Sequence, residues 1–411
     1  EKLQHSATKV EATGSFSGQK HNMLISQVPM TMVRGMMNQI KWDRQLVGIK
    51  GSRGVGKTTL IRQYIKDKYG VQPGKALYCV MDSLYFSSHS LLELAEKFHL
   101  MGGEHLFLDE VHKYPTWSKE IKEIYDLYPD LKVTFSGSSL LQILNADADL
   151  SRRALSYTMP GLSFREFLHF YKGIDIPTYD LSEILEDPHY ICQQVNAQCR
   201  PQRLFEEYLK VGYYPFYNGD IEEYYNRIEN IITYIIEQEM TQFCNIEVSY
   251  TRKIKALLIF LAQNVPFDVN IAKLTKYLEI NKNTVLHYLI SMQKAELIKL
   301  LYSDNISISK MQKPDKIYLQ NPNLMYAISQ SAHLGTIREC FVANQLSYKH
   351  EIEYGKSAGD FKVDGKTTFE VGGEHKKFTQ ITQIKDAYVL ADSIEFPIGN
   401  KLPLWVMGFL Y

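Results

Sequence analysis

The chain has 411 residues, with 46 Lys and Arg against 46 Asp and Glu and therefore no formal net charge. That balance excludes a protein held to nucleic acid by its bulk charge, so any such surface must be local. No stretch reaches the ~18 consecutive apolar residues of a membrane span. Five scattered cysteines form no C-x-x-C, which argues against a zinc site or disulfide framework and for a cytoplasmic protein.

Residues 1–26 are rich in Ser, Thr, Gly and Lys without period and read as a flexible leader. Met32, Val33, Met36, Met37 and Ile40 then fall at helical spacing and predict a helix over 30–42. Gln45 to Lys50 is a short apolar run that reads as a buried strand. It leads into Gly51-Ser52-Arg53-Gly54-Val55-Gly56-Lys57-Thr58, which fits G-x-x-x-x-G-K-[ST] at every fixed position. Thr59 follows, and Leu60, Ile61, Tyr64 and Ile65 continue at helical spacing. In a strand–loop–helix context the glycines let backbone N–H groups turn toward a polyphosphate at a helix N-terminus. Lys57 is expected at the β- and γ-phosphates of ATP, and the Thr58 hydroxyl on Mg²⁺.

A second strand is expected over 75–82, a short helix over 91–99, and a strand from His105 that ends in Asp109-Glu110. This matches the second nucleotide motif of P-loop ATPases. Asp109 suits the Mg²⁺ shell, and Glu110 suits a base that polarises the attacking water. The paired carboxylates and an intervening strand point to the ATPase subclass with an inserted central strand, hence to hydrolysis rather than transfer to a metabolite. A helix over 117–128 and a strand over 131–135 come next. Ser136, Ser138 or Ser139 at that strand's tip is placed to sense the γ-phosphate, Ser136 first among them. Ser138 or Ser139 equally suits a helix N-cap. Arg152 and Arg153 cannot both face one site, and Arg153 is the better candidate for a γ-phosphate contact in its own or a neighbouring subunit.

Residues 162–245 are mostly helical by pattern, with an aromatic turn at Gly212 to Tyr217 that is expected to pack as part of a lid over the nucleotide domain. Glu237 and Glu239 are expected in solvent. Helices over 253–263, 269–278 and 283–292 predict a helix-turn-helix, with 297–302 and 316–319 as a wing. Arg252, Lys253, Lys255, Lys273, Lys276, Lys282, Lys294 and Lys299 make this segment locally basic. Asn281, Lys282, Asn283, Thr284 and His287 are the residues placed to meet double-stranded DNA. The last segment reads as a helix over 335–346, strands over 351–354, 359–363 and 366–372, a helix over 378–391 and a strand over 402–410. This order resembles the restriction-endonuclease-like core. Asp360 and Glu370 stand in its acidic places and Glu339 offers a third carboxylate, but Gly372 stands at the lysine position, with Lys376 or Lys377 able to swing in from the following turn. A degenerate nuclease site is the expectation.

Asp109-Glu110-Val111-His112-Lys113-Tyr114-Pro115-Thr116-Trp117, Ser136-Gly137-Ser138-Ser139, Ser151-Arg152-Arg153, Pro160 to Phe167 and Asn321-Pro322-Asn323-Leu324 resemble a group of prokaryotic AAA-type ATPases with a C-terminal domain of uncharacterised function. The resemblance covers roughly residues 30–411. It implies an ATPase domain, a winged helix of DNA-binding type and a nuclease-like end. The expected fold class is α/β: a P-loop ATPase sheet with helices on both faces, a helical lid, a winged helix-turn-helix and a small α/β restriction-endonuclease-like domain. The segments are 1–26 (leader), 27–160 (P-loop AAA-type core), 161–250 (lid or connector), 251–325 (winged helix) and 326–411 (nuclease-like). The expected activity is ATP hydrolysis coupled to engagement of DNA or protein, with a homo-oligomer or protein partner and no membrane. The alternatives are a nucleotide-gated DNA-binding scaffold with negligible hydrolysis and an ATP-controlled, metal-dependent nuclease.

Overall fold

A computed structural model describes residues 18–72, 74–140, 148–264, 267–268, 270–303, 313–329, 332–356, 358–379 and 381–411. The chain divides into two compact units, 1–160 and 161–411.

The first unit opens with helix α1 (18–26), where the leader was expected to be flexible. Residues 1–17 lie outside the described residues. What holds α1 is a tertiary contact that its composition does not signal. Ile25 is buried, and His21 Nδ1 accepts the backbone N–H of Tyr78 at 2.9 Å. Burial lowers the His21 pKa to about 4, which keeps the ring neutral and able to accept. The expected helix over 30–42 is a single 3₁₀ turn, Gly35–Asn38. The carbonyls of Pro29 and Met32 instead receive the Gln63 amide at 2.8 and 2.9 Å, which ties this extended stretch to the next helix.

Five strands follow: β1 (Leu46–Lys50), β2 (Ala76–Val80), β3 (His105–Asp109), β4 (Lys132–Gly137) and β5 (Leu155–Thr158). They form one parallel sheet in the order β2-β3-β4-β1-β5. The strand inserted between β1 and β3 is therefore β4, while β2, which intervenes in sequence, lies at an edge. Flanking helices are α2 (Lys57–Lys68), α3 (Leu91–Leu100), α4 (Trp117–Leu127) and α5 (Ala148–Arg153). β1 to β4 read as near-continuous apolar runs because a parallel sheet covered by helices buries both faces of its strands. Leu94, Phe98, Ile121, Ile124, Leu106, Leu108 and Val133 share one buried cluster.

The second unit carries helices α6 (Phe164–Lys172), α7 (Leu181–Glu186), α8 (Pro188–Asn196), α9 (Pro201–Val211) and α10 (Ile221–Tyr234). Ser163 starts α6 with a capping box: its Oγ accepts the Glu166 N–H at 3.2 Å and Glu166 accepts the Ser163 N–H at 3.2 Å. The aromatic residues of α6 and α9 pack on later parts of the same unit. Phe164 meets Phe205 and Phe409, and Phe205 meets Phe341, with ring centroids 4.7–5.6 Å apart. The main chain passes so close to Phe164 that a Cβ on Gly408 would stand 2.4 Å from the Phe164 Cβ. A π-helical turn, Ile235–Glu239, follows α10 and buries Glu239, contrary to the expectation of solvent; Glu237 pairs with Lys255 at 2.5 Å.

Next come α11 (Thr251–Gln263), β6 (Phe267–Asp268), α12 (Ile271–Leu278), α13 (Lys282–Lys294), β7 (Ile298–Leu301) and β8 (Lys316–Leu319). β7 and β8 are antiparallel and β6 pairs with β8, giving the order β6-β8-β7. The segment joining β7 to β8 lies outside the described residues over 304–312. Helices α14 (Pro322–Ile328) and α15 (Leu334–Leu346) lead to β9 (Ile352–Tyr354), β10 (Phe361–Val363), β11 (Thr367–Gly372), β12 (Ala387–Ala391) and β13 (Lys401–Pro403). These strands form a mixed sheet, antiparallel through β9, β10 and β11 and parallel from β11 to β13.

Two expectations fail in this region. The helix over 378–391 is replaced by turns and β12, because Asp386 takes φ +57° and Val389, Leu390 and Ala391 are buried between β11 and β13. The strand over 402–410 stops at Pro403 and becomes a buried 3₁₀ turn, Leu404–Phe409.

A single amide joins several elements of this unit. Asn323 is buried; its Oδ1 accepts the Tyr213 N–H at 2.8 Å and the Tyr224 hydroxyl at 2.5 Å. Its Nδ2 donates to the carbonyls of Leu209 and Tyr208 at 2.8 and 3.3 Å. The aromatic turn at 212–217 is therefore fastened within its own unit. Asn323→Ala leaves several buried polar groups without partners and is expected to cost about 4 kcal/mol. Denaturant unfolding followed through Trp405, with Trp42 and Trp117 replaced by Phe, measures the loss.

Candidate functional site

The loop after β1 is shaped by its glycines. Gly54 and Gly56 have φ of +87° and +101°, a conformation that favours glycine, and Gly56 directly precedes α2. The Lys57 ammonium lies across the loop, donating to the carbonyls of Gly51 and Ser52 at 2.8 and 3.0 Å. Thr59 faces out on α2. A residue not singled out in the sequence pins the loop from behind. The buried Arg34 guanidinium donates to the Val55 and Pro160 carbonyls at 3.2 Å. A lone arginine in a Met-rich stretch carries no signal of that role.

Asp109, 2% exposed at the end of β3, joins the loop to the sheet. Its Oδ2 accepts from Thr58 Oγ1 at 2.7 Å and from the Tyr78 hydroxyl at 2.6 Å, and its Oδ1 accepts from Ser136 Oγ. The structure thus brings together Lys57, Thr58, Asp109 and Ser136 from three separate stretches. The Thr58 hydroxyl and the Asp109 carboxylate offer two adjoining hard oxygen donors, which suit Mg²⁺. Tyr78, on β2, was not expected here. Arg62 holds it from α2, donating to its hydroxyl at 2.9 Å with the guanidinium 4.8 Å from the ring centre. Tyr78→Phe keeps the ring but removes one donor to Asp109. It is expected to lower stability by about 1.5 kcal/mol in denaturant unfolding of the first unit, with only a minor loss of nucleotide affinity.

Glu110 follows at φ +58°, a left-handed conformation rare outside glycine. Its N–H donates to Ser136 Oγ at 3.3 Å. Its carboxylate lies 3.8 Å from Arg53 of the loop and 3.3 Å from Nε2 of the buried His112. Burial raises the Glu110 pKa; Lys57 and Arg53 pull it back while the Asp109 charge adds to the rise. A carboxylate with a raised pKa beside a polyphosphate loop suits proton abstraction from water. Ser138 and Ser139 are buried at the tip of β4, and the segment that either would cap lies outside the described residues.

The structure does not bring Arg153 to this loop. Arg153 Nε and Nη2 donate to the Asp126 carboxylate at 3.2 and 3.3 Å, and its guanidinium lies over Tyr125. Arg152 and Arg153 immediately precede β5, which runs parallel to β1. They therefore stand at the strands' N-terminal edge, whereas the loop is at the C-terminal edge.

In the second unit, Asn281 caps α13 by accepting the Thr284 N–H at 2.9 Å, and Lys282 and Asn283 are exposed. His287 is committed elsewhere: its Nε2 donates to the Cys244 carbonyl at 3.0 Å. The positive charge of this region is smaller at the surface than its composition suggests. Lys253 donates to the Leu278 carbonyl at 2.9 Å, Lys255 pairs with Glu237, and Lys299 donates to Ser347 at 2.6 Å with its pKa lowered by burial to about 8.

The acidic residues of the C-terminal sheet are likewise met by their own neighbours. Glu339 accepts the Tyr318 hydroxyl at 2.7 Å, and Asp360 accepts the Val371 N–H at 2.8 Å. Burial and the Asp360 charge raise Glu339 to about 7. Lys376 does swing in, pairing with Glu370 at 2.5 Å. Its stem lies over Gly372, where a Cβ would come within 2.7 Å of it. Among the described residues, no group of three His, Cys, Asp or Glu is placed to hold a metal ion.

Residues 43–168 match the family described as an AAA domain, and residues 202–334 match a domain of unknown function. Two uncharacterized proteins of Methanocaldococcus jannaschii are similar. One is 29% identical, covering 89% of this chain and 85% of that protein. The other is 23% identical, covering 81% and 73%. Among solved structures, the S. cerevisiae Hsp104:casein complex is 15% identical, covers 67% of this chain and has a TM-score of 0.30. The chain spans only 52% of that Hsp104 chain, and a likeness at this score carries no argument. Among the described residues, no helix is long and apolar enough to cross a membrane.

Proposed function

We propose that this chain, whose residues 43–168 carry an AAA domain, binds Mg²⁺-ATP at the 51–58 loop and hydrolyses it. We propose further that its nucleotide state governs how residues 161–411 engage DNA or a protein partner. One observation carries the reading: the Asp109 carboxylate accepts from both Thr58 and Ser136, with Glu110 as the next residue. Mg²⁺, when bound, offsets phosphate charge. The backbone of 51–56 and the N-terminus of α2 cradle the phosphates. Lys57 leaves the Gly51 and Ser52 carbonyls for the β- and γ-phosphates. Thr58 and Asp109 hold the cation. Glu110 takes a proton from the attacking water, and Ser136, bonded to both Asp109 and the Glu110 N–H, registers the loss of the γ-phosphate.

A role for Arg153 at a γ-phosphate requires a neighbouring subunit, since its own loop lies at the other edge of the sheet. For the output, the helix, strand, helix, helix and hairpin of 251–319 support a winged-helix reading. The exposed Lys282 and Asn283 at the start of α13 suit contact with a DNA backbone. Balanced net charge and the lysines used internally favour weak, salt-sensitive DNA contact. The pairing of Lys376 with Glu370 puts a lysine beside an acidic residue where Gly372 offers none, and is the observation that favours the ATP-controlled, metal-dependent nuclease as a second reading. The five cysteines are free, in keeping with a cytoplasmic setting. Phosphate release with no DNA, single-stranded DNA and double-stranded DNA tests the coupling. Turnover that changes with duplex DNA supports it, whereas turnover indifferent to DNA moves the output to a protein partner.

A further inference from the structure

Glu110 meets the tip of β4 along two routes, and one of them runs through the side chain of His112. The Glu110 N–H donates to Ser136 Oγ, two residues before Ser138. Ser138 in turn donates its backbone N–H to His112 Nδ1 at 3.4 Å. The His112 side chain is fully buried, and its other nitrogen, Nε2, stands 3.3 Å from Glu110 Oε2. An Nδ1 that accepts leaves the proton of a neutral ring on Nε2, 3.3 Å from the carboxylate oxygen but not in hydrogen-bond alignment with it. Burial, with Lys113, Lys57 and Arg53 nearby, lowers the His112 pKa to about 3 and keeps the ring neutral. The 3₁₀ turn Val111–Lys113 sets this geometry, because one short turn brings ring 112 back beneath residue 110. The left-handed backbone at Glu110 persists only where neighbours over-determine it, and these contacts do so.

We propose that His112 is a positioning residue: directed by the Ser138 N–H, its Nε2–H closes onto the Glu110 carboxylate as nucleotide binds, as catalytic hydrogen bonds tighten in the substrate complex, and holds it in place for water activation. This rests on the hydrolytic reading above. It assigns no proton transfer to His112 and no contact with nucleotide.

The test uses three variants of the full chain. His112→Gln puts an amide N–H near the position of Nε2 and keeps a donor for Glu110. His112→Asn puts an acceptor near the position of Nδ1 for Ser138 but offers Glu110 no donor. His112→Leu offers neither. The expected result is a kcat lowered ~100-fold in His112→Asn and His112→Leu, as for a catalytic group displaced by about an ångström. KM and equilibrium nucleotide affinity should hardly move, and His112→Gln should recover most of the lost kcat. A general structural defect would lower binding and melting temperature together and would not be rescued by Gln alone. Unchanged turnover in His112→Asn, or His112→Gln no better than His112→Leu, overturns the proposal and leaves hydrolysis standing. Absence of turnover in the unmodified chain sinks the hydrolytic reading, and this inference with it.

Discussion

Glu110→Gln is expected to lower ATP turnover ~1000-fold, within the range for loss of a general base, while leaving nucleotide bound. The substitution keeps the shape of the side chain and removes its ability to take a proton. Its surroundings explain why binding survives. In the proposed site Lys57 and Thr58 would meet the phosphates and cation, and Asp109 is held by Thr58, Tyr78 and Ser136 independently of the Glu110 carboxylate. The substituted amide lacks the charge that Glu110 sets 3.8 Å from Arg53, but that pair is partly exposed and contributes little. Fluorescent-nucleotide titration and phosphate release on the same sample separate the two effects. Turnover near the unmodified rate would mean that another group, or none, activates the water.

The second large effect is at the loop. Lys57→Ala should weaken Mg²⁺-ATP binding by more than ~100-fold, the loss of charge-assisted contacts to phosphate in a desolvated cradle. It should leave the second unit's unfolding unchanged. The ammonium is buried and bonded to the Gly51 and Ser52 carbonyls, so its removal also loosens the loop. Lys57→Arg is a useful companion, because a planar guanidinium cannot occupy the same narrow seat across the loop. Retained affinity in both would place phosphate recognition elsewhere.

The parts of the site legible in the sequence are those whose chemistry is written in contiguous residues. Gly51 to Thr58 carries its own backbone conformation and functional groups, and Asp109-Glu110 ends an apolar run at a fixed place in the chain. The residues that no contiguous pattern marks act from a distance. Arg34 reaches the loop across 21 positions, Tyr78 meets Asp109 across 31, and neither has a local pattern. His112 did have one, a histidine two residues beyond the glutamate, but only the 3₁₀ turn shows that this spacing folds the ring back on Glu110.

The fold departs from the sequence pattern for similar reasons. Residues 378–391 carry Ile381 and Ile384 at helical spacing, yet the burial of Val389 to Ala391 between two strands overrides that pattern. The basic character of 251–302 was counted from residue types, and Lys253, Lys255 and Lys299 turn out to serve internal carbonyl, carboxylate and hydroxyl partners. Gly372 read as a missing lysine. In the folded chain it makes room for the stem of Lys376, which reaches Glu370 from four residues further on.

A hydrolase at the 51–58 loop turns over repeatedly. Counting labelled phosphate released per protein molecule from saturating Mg²⁺-ATP, with Glu110→Gln alongside, tests it most directly. Many phosphates per molecule are expected from the unmodified chain within a window in which the variant, slowed ~1000-fold, releases at most one, with equal bound nucleotide in both. One phosphate or fewer per unmodified molecule, with nucleotide fully bound, would contradict it.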